Sequence, residues 1–401
     1  MTADEFQPAA AETTTELVRA IHAVGARFVL AITGGGSGAI RELLVVPGGS
    51  RVLLEAIVPY APQALSRWLG TPPEQFCSSA TARGMAMRAF ERAESYRERT
   101  LDAAVANGAG DAASTKQELG LGCTASLATD RPKRGPHRVH IAWQTKAVTA
   151  VHSLELVKGA RTRDQEEDLV ARLLLNALAE AVGLTARLEV PLQAGETISS
   201  SMCRASQAWQ ELFAGTRAAV YQGPPRTASQ EPRAVFPGAF NPRHQGHRRM
   251  AEIAAARLGV PVEHEITIDN VDKPPLDFLD LEFRARQFAA NEALWFTRAP
   301  TFVEKSRLFP GATFVVGADT ITRVGDPRYY ASDPTRRDDA LAALTAAGCR
   351  FLVFGRKVGD KFETLDDLTL PPALAAICRG VPPEAFRDDI SSTELRRSDE
   401  A

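Results

Sequence analysis

Two consecutive three-layer α/β domains are the architecture this 401-residue sequence predicts. Three observations lead there. The chain exceeds the ~250–300 residues at which a single hydrophobic core stops growing, so it should divide. In each half, short apolar runs of strand character alternate with segments of helical period. Between the halves, Val220 to Glu231 is polar and proline-containing, with the composition of a linker. The expected boundaries are residues 12–195 for the first domain, 196–231 for a connecting segment and linker, and 232–401 for the second.

In the first half the alternation runs from about Thr14 to Leu188, with strands expected at Arg27–Ile32 and Val139–Trp143. Thr33-Gly-Gly-Gly-Ser-Gly38 follows the first of these strands and precedes a helix, where a phosphate-cradling loop would lie. A tight turn explains the same glycines. No Gly-Lys-Ser/Thr follows, so this is not a Walker loop.

The second half opens on the most informative stretch of the chain, Phe236-Pro-Gly-Ala-Phe-Asn-Pro-Arg-His-Gln-Gly-His247. An apolar run from Arg233 to Phe236 reads as a strand, and Gly238, lacking a Cβ, permits a sharp turn and close approach of a ligand. Asn241 suits an N-cap and Pro242 the first helical position, which predicts a helix through Met250 and Ala254 with its free N–H groups facing the turn. Such an N-terminus attracts phosphate. His244 and His247, two of the seven histidines, stand at i and i+3 on one helical face, where both could address one anion. A capped helix with two surface histidines is the plain alternative.

Further along, His264–Asn270 reads as a strand leading to the loop Asp272-Lys273-Pro-Pro-Leu276. Thr313-Phe-Val-Val-Gly-Ala-Asp-Thr320 is a strand followed by a turn containing Gly317 and Asp319. In Ile390-Ser-Ser-Thr-Glu-Leu-Arg396, Ser391 and Glu394 form a capping box with Arg396 one turn in, a second anion site or simply a second capped helix.

Gly238-Ala-Phe-Asn-Pro-Arg-His-Gln-Gly-His247 and Ile390–Arg396 resemble the paired signatures of the HxGH nucleotidylyltransferases, cytidylyltransferase-like proteins with a Rossmann-like fold and a parallel sheet. Thr313–Thr320 resembles the nicotinate/nicotinamide mononucleotide adenylyltransferase branch. Together these matches span roughly residues 233–396. The resemblance implies adenylyl transfer from ATP, entering with Mg²⁺, to the 5′-phosphate of a pyridine mononucleotide. It assigns His244, His247 and Arg396 to catalysis, and Gly238, Ala239, Phe240, Asn241, Lys273, Gly317, Asp319, Ser391, Ser392 and Thr393 to nucleotide binding, with no metal ligand among the side chains. Asn241 stands where phosphopantetheine adenylyltransferases and cytidylyltransferases usually carry Asp. The insert Asp326–Gly348 departs from the compact bacterial pattern, and Tyr329 or Tyr330 replaces a usual Trp.

Thr33-Gly-Gly35 and Val46-Pro-Gly-Gly-Ser50 through Tyr60 to Gly70 resemble the C-terminal domain of the CinA family, some members of which are nicotinamide mononucleotide deamidases. The resemblance implies a site at Thr33, Gly34, Gly35, Ser50 and Tyr60. The family's lysine five residues after the tyrosine is Leu65 here. A nucleophilic serine needs a base, so a degenerate domain that binds a nucleotide or scaffolds a homo-oligomer is expected, with residual deamidation as the alternative. Thr124–Lys133 replaces the family's second glycine-rich loop, and Arg131, Lys133 and Arg134 are either a new phosphate site or a solvated basic loop.

A net charge of −2 provides no broad basic surface, which argues against sequence-independent nucleic-acid binding. Cysteines at 77, 123, 203, 349 and 378 have neither disulfide-framework nor zinc-ligand spacing. With no signal-peptide pattern or apolar run of membrane-spanning length, a cytoplasmic protein without a membrane partner is expected. Two functions stay open: a dinucleotide-forming enzyme, and a nucleotide-binding sensor or scaffold.

Overall fold

The structure is a computed structural model that describes residues 13–106, 116–130, 134–226, 234–269, 274–358 and 361–387. The chain divides into one unit of residues 1–206 with 272–279, and a second of 207–271 with 280–401.

The first unit is built on a six-stranded sheet of β1 (Arg27–Thr33), β2 (Leu53–Ile57), β3 (Glu118–Ser126), β4 (His137–Gln144), β5 (Val148–Leu156) and β6 (Ser199–Arg204), in the order β2-β1-β3-β4-β5-β6. β1 lies parallel to β2 and β3, and the other pairs are antiparallel. β1 is an almost unbroken apolar run with its last six residues buried, as a strand covered on both faces requires. One face packs on the helices Thr14–Val24, Gly38–Val45 and Arg163–Ala181, whose Leu17, Leu43 and Leu174 share one core with Phe28, Leu30 and Ile32. The opposite face carries the helix Ser79–Ala106, which places Ala82, Met85 and Ala89 under the sheet. Asp277 accepts hydrogen bonds from Arg83 (2.6 and 2.5 Å), and the Phe278 N–H donates to Thr149 Oγ1 (3.0 Å).

The second unit has a seven-stranded sheet of β7 (Ala219–Gln222), β8 (Ala234–Pro237), β9 (Glu263–Thr267), β10 (Leu294–Thr297), β11 (Thr313–Gly317), β12 (Arg350–Phe354) and, after a small hairpin of β13 (Arg356–Val358) and β14 (Lys361–Glu363), β15 (Cys378–Gly380). The order is β15-β12-β11-β8-β9-β10-β7, parallel except for β7. From β8 the chain builds β9 and β10 on one side and then β11, β12 and β15 on the other. This reversal makes the carboxyl ends of β8 and β11 the switch point of a doubly wound sheet, where such folds hold ligands. The expected α/β architecture is therefore present in both units, with a Rossmann-like second domain.

The segment 196–231 is not the spacer the sequence suggested. β6 completes the first sheet, whereas the helix Gln207–Phe213 and β7 belong to the second unit, β7 pairing with β10 from Ala219↔Thr297 to Gln222↔Leu294. Pairing across the sheet overrides a polar local composition.

Candidate nucleotide-binding site

The turn after β8 is held by residues far along the chain. Arg284 donates to the Ala239 carbonyl (2.7 Å), Gln287 Nε2 to the Phe240 carbonyl (3.0 Å), and the Arg243 N–H to Gln287 Oε1 (2.6 Å). Arg243 also clasps Glu292 through two nitrogens (2.9 and 2.5 Å) and lies 4.4 Å over the Phe288 ring. That bidentate pair holds the Glu292 carboxyl down at about 2. Phe240, at φ 44°, is buried edge-on against Phe236, Phe288, His247 and His264. A Cβ on Gly238 would stand 2.6 Å from that ring, so the packing of Phe240 requires the glycine.

These anchors shift the helix. It spans Gln245–Leu258 with His244 at the N-cap, three residues beyond the Asn241 start expected from local preference. Asn241 and Pro242 belong to the turn and are joined by a cis peptide bond. The His244 N–H donates to His247 Nδ1 (3.2 Å), and the two rings stack with centroids 3.7 Å apart. Burial, then the adjacent His244 and Arg243, push the His247 pKa down to about 3. Because Nδ1 accepts, the neutral ring carries its proton on Nε2, leaving a hydrogen-bond donor beside the open amides of the helix N-terminus. Neutral donors and helix dipole together suit a phosphate oxygen.

In the first unit, Thr33, Gly34, Gly35 and Tyr60 meet at two adjoining clefts of about 460 and 180 Å³. Ser37, Arg163 and Glu167 line the larger; Cys77, Thr124 and Leu65 line the smaller. Ser50 is exposed in the one-turn helix Gly49–Arg51 and lines neither. The glycine turn is already occupied. Glu167 Oε1 accepts from both the N–H and the hydroxyl of Ser37 (2.7 Å each), and Arg163 donates to the Gly34 carbonyl (2.9 Å). Partial burial raises the Glu167 pKa, but these hydrogen bonds and Arg163 outweigh it and hold the group ionised below its ordinary range. Gly34, at φ 79°, could not carry a Cβ, which would fall 1.8 Å from the Ala125 carbonyl oxygen. The turn is thus closely packed, with the Glu167 carboxylate on the Ser37 N–H.

The family model described as cytidylyltransferase-like matches residues 235–398. The second unit carries a cytidylyltransferase-like domain. Its family supports nucleotidyltransferase activity. No curated protein matches the chain. Among solved structures, the chain is similar to the competence/damage inducible protein CihA from Agrobacterium tumefaciens at 19% identity, covering 43% of this chain and 96% of that one with a TM-score of 0.31. A competence-damaged protein (CinA) superfamily protein from Escherichia coli matches at 17% identity over 45% of this chain and 99% of that one, also at TM-score 0.31.

In the cytidylyltransferase-like domain, Gly317 ends β11 and caps the helix Ala318–Gly325. Asp319, in its first turn, pairs with Arg323 and with Arg356 on β13 (2.8 Å each). The insert Asp326–Gly348 folds into a turn of 3₁₀ helix, Pro327–Tyr330, and the helix Pro334–Ala346. The Tyr330 hydroxyl donates to the Val324 carbonyl (3.0 Å), whereas Tyr329 is 52% exposed and presents its ring to solvent. Lys273, Ser391, Ser392, Thr393 and Arg396, with Arg131 and Lys133, lie outside the described residues. Pro274–Asp277, next to Lys273, group with the first unit. Arg284, Gln287, Glu292 and Arg356 had no local signal, because they act on the turn or on Asp319 from 37 to 49 residues away. Among the described residues no helix is long and apolar enough to cross a membrane.

Proposed function

We propose that this protein is an adenylyltransferase that joins ATP to nicotinamide or nicotinate mononucleotide, giving a dinucleotide and pyrophosphate. The observation that carries the reading is the stacked His244–His247 pair, with His247 neutral and fixed as a donor at a helix N-terminus beside the β8/β11 switch point. The 5′-phosphate oxygen of the acceptor bonds to the α-phosphorus as the bond to the β-phosphate oxygen breaks, and no covalent enzyme intermediate is needed. Catalysis is then positioning and charge neutralisation. His247 serves the α-phosphate and His244 the outer phosphates, with Ser391, Ser392, Thr393 and Arg396 completing the triphosphate cradle and Mg²⁺ entering with the nucleotide. Tyr329 offers an exposed ring on which a base can stack.

For the first domain we infer a non-catalytic role in nucleotide binding or assembly. Leu65, 2% exposed, lines the cleft of Tyr60 and packs on Ala31, Leu69 and Met85, so the position that would activate a serine is part of a core.

The test is incubation of the full chain with Mg-ATP and, separately, nicotinamide mononucleotide, nicotinate mononucleotide and phosphopantetheine, with products resolved by chromatography beside a pyrophosphate assay. A pyridine dinucleotide establishes the reading, whereas no pyrophosphate with any acceptor overturns it. Nicotinate mononucleotide formed from its amide without ATP would restore deamidation to the first domain.

A further inference from the structure

On β5 and β6, away from both clefts, three side chains stand in a line of close polar contacts. The Ser200 hydroxyl lies 2.8 Å from His152 Nδ1, and His152 Nε2 lies 2.8 Å from Glu180 Oε2 on the helix Arg163–Ala181. With the imidazole proton on Nε2, the serine O–H donates to the ring, and the ring N–H stands beside the carboxylate without the alignment of a hydrogen bond. Burial works against Glu180's charge, but the adjacent His152 and the Arg187 charge outweigh it and keep the carboxyl below its ordinary range. Nucleophile, base and orienting acid stand in the relation that activates serine in unrelated hydrolases, which is recognised by geometry and not by sequence order.

The backbone supplies a second element. Just beyond the strand pair, the Ala205 N–H donates to the Ala147 carbonyl (2.8 Å), and the register continues through Thr149↔Cys203, Val151↔Ser201 and Ser153↔Ser199. Antiparallel pairs alternate, so His152↔Ser200 falls at a step without cross-strand hydrogen bonds, where side chains approach most closely and the N–H points away from the partner. β6 is the last strand of its sheet. The N–H of Ser200, and by the same alternation that of Met202, therefore face the open edge. An N–H on the attacking serine's own residue is a donor placed for an oxyanion.

We propose that Ser200, His152 and Glu180 form a second active site that hydrolyses carboxylic esters whose extended acyl portion lies along the β6 edge. Ser200 Oγ bonds to the carbonyl carbon as its proton passes to His152 Nδ1. The ester C–O bond then breaks, and the alcohol leaves with that proton. Water repeats both steps and releases the acid. Exposed Met202 provides apolar surface beside the serine, and main-chain groups on the edge can pair with an extended substrate. Glu180 is a positioning residue, acting through His152.

The experiment treats the full chain with a fluorophosphonate probe, maps the label by peptide mass spectrometry, and follows p-nitrophenyl acetate hydrolysis. Label on Ser200, lost in Ser200→Ala, with hydrolysis falling about 100-fold or more in His152→Gln, is the expected result. Glu180→Gln should slow hydrolysis, while Glu180→Asp restores most of the rate. Absence of label on wild-type Ser200, or labelling as fast in His152→Gln as in wild type, overturns the proposal. Thermal denaturation of each variant identifies any that fail to fold, and the wild-type labelling decides without them.

Discussion

The two glycine turns of this chain, Thr33–Gly38 after β1 and Gly238–His247 after β8, share a local grammar of buried strand, glycine and helix, yet they end in opposite electrostatics. In the first, a carboxylate from another helix takes the Ser37 N–H and hydroxyl, and Gly34 is demanded by the backbone of β3. In the second, the turn is braced from behind by Arg284, Gln287 and the Arg243–Glu292 clasp, leaving neutral imidazole at its mouth. A strand–glycine–helix turn is therefore only a frame. What binds is decided by the charge that tertiary structure delivers to it.

The sharpest way to break that contrast is His247→Ala. It should lower adenylyl transfer by about 100- to 1,000-fold, the scale of losing one transition-state donor, while ATP affinity by calorimetry and the melting temperature change little. A variant retaining full turnover would remove the histidine pair from the chemistry.

Gly34→Ala tests the packing side. A left-handed residue whose Cβ meets a carbonyl oxygen should cost at least about 3 kcal/mol in chemical denaturation, with no comparable loss expected where a turn served only a ligand.

Glu167→Gln separates charge from shape. Losing a partly exposed, charge-assisted pair should cost about 1–2 kcal/mol at pH 7. The group titrates lower folded than unfolded, so its contribution is present above about pH 4.5 and fades as acid protonates it. Wild type and variant should therefore converge at low pH, and a constant gap would assign the effect to shape.

A further effect, absent at pH 7, concerns His264, buried among Phe236, Phe240 and Phe288 and lowered to about 4, chiefly by desolvation. The unfolded chain binds a proton there below about pH 6.5 that the folded chain refuses, so stability falls as pH drops from 6.5 toward 4. His264→Phe should flatten the slope of unfolding free energy against pH by about one proton across that window.

Much of the framework was legible because it rests on local pattern. The expected strands at Arg27–Ile32, Val139–Trp143 and Thr313–Val316 fall inside β1, β4 and β11, where apolar runs end at glycine or polar residues. The helix start was not. Asn241 and Pro242 have the local preferences of a cap and a first turn, but hydrogen bonds from residues more than forty positions away hold them in the turn instead. β6 was equally invisible, since Ser199-Ser-Ser201 has neither alternation nor β-branched residues and is a strand because β5 offers it an edge. The histidine pair was readable as spacing, whereas the neutral state of His247 depends on burial that no spacing reveals.

One consequence reaches beyond chemistry. Because β7 takes in the first residues of the proline-containing stretch and closes the edge of the second sheet, the seam between the two folding units falls near residue 207 and not at the linker-like residues 220–231. Cutting the gene at the stretch that looks like a joint would strip β10 of its neighbour and expose a raw strand edge, an invitation to aggregate. A C-terminal fragment meant to stand alone has to begin upstream of the helix Gln207–Phe213.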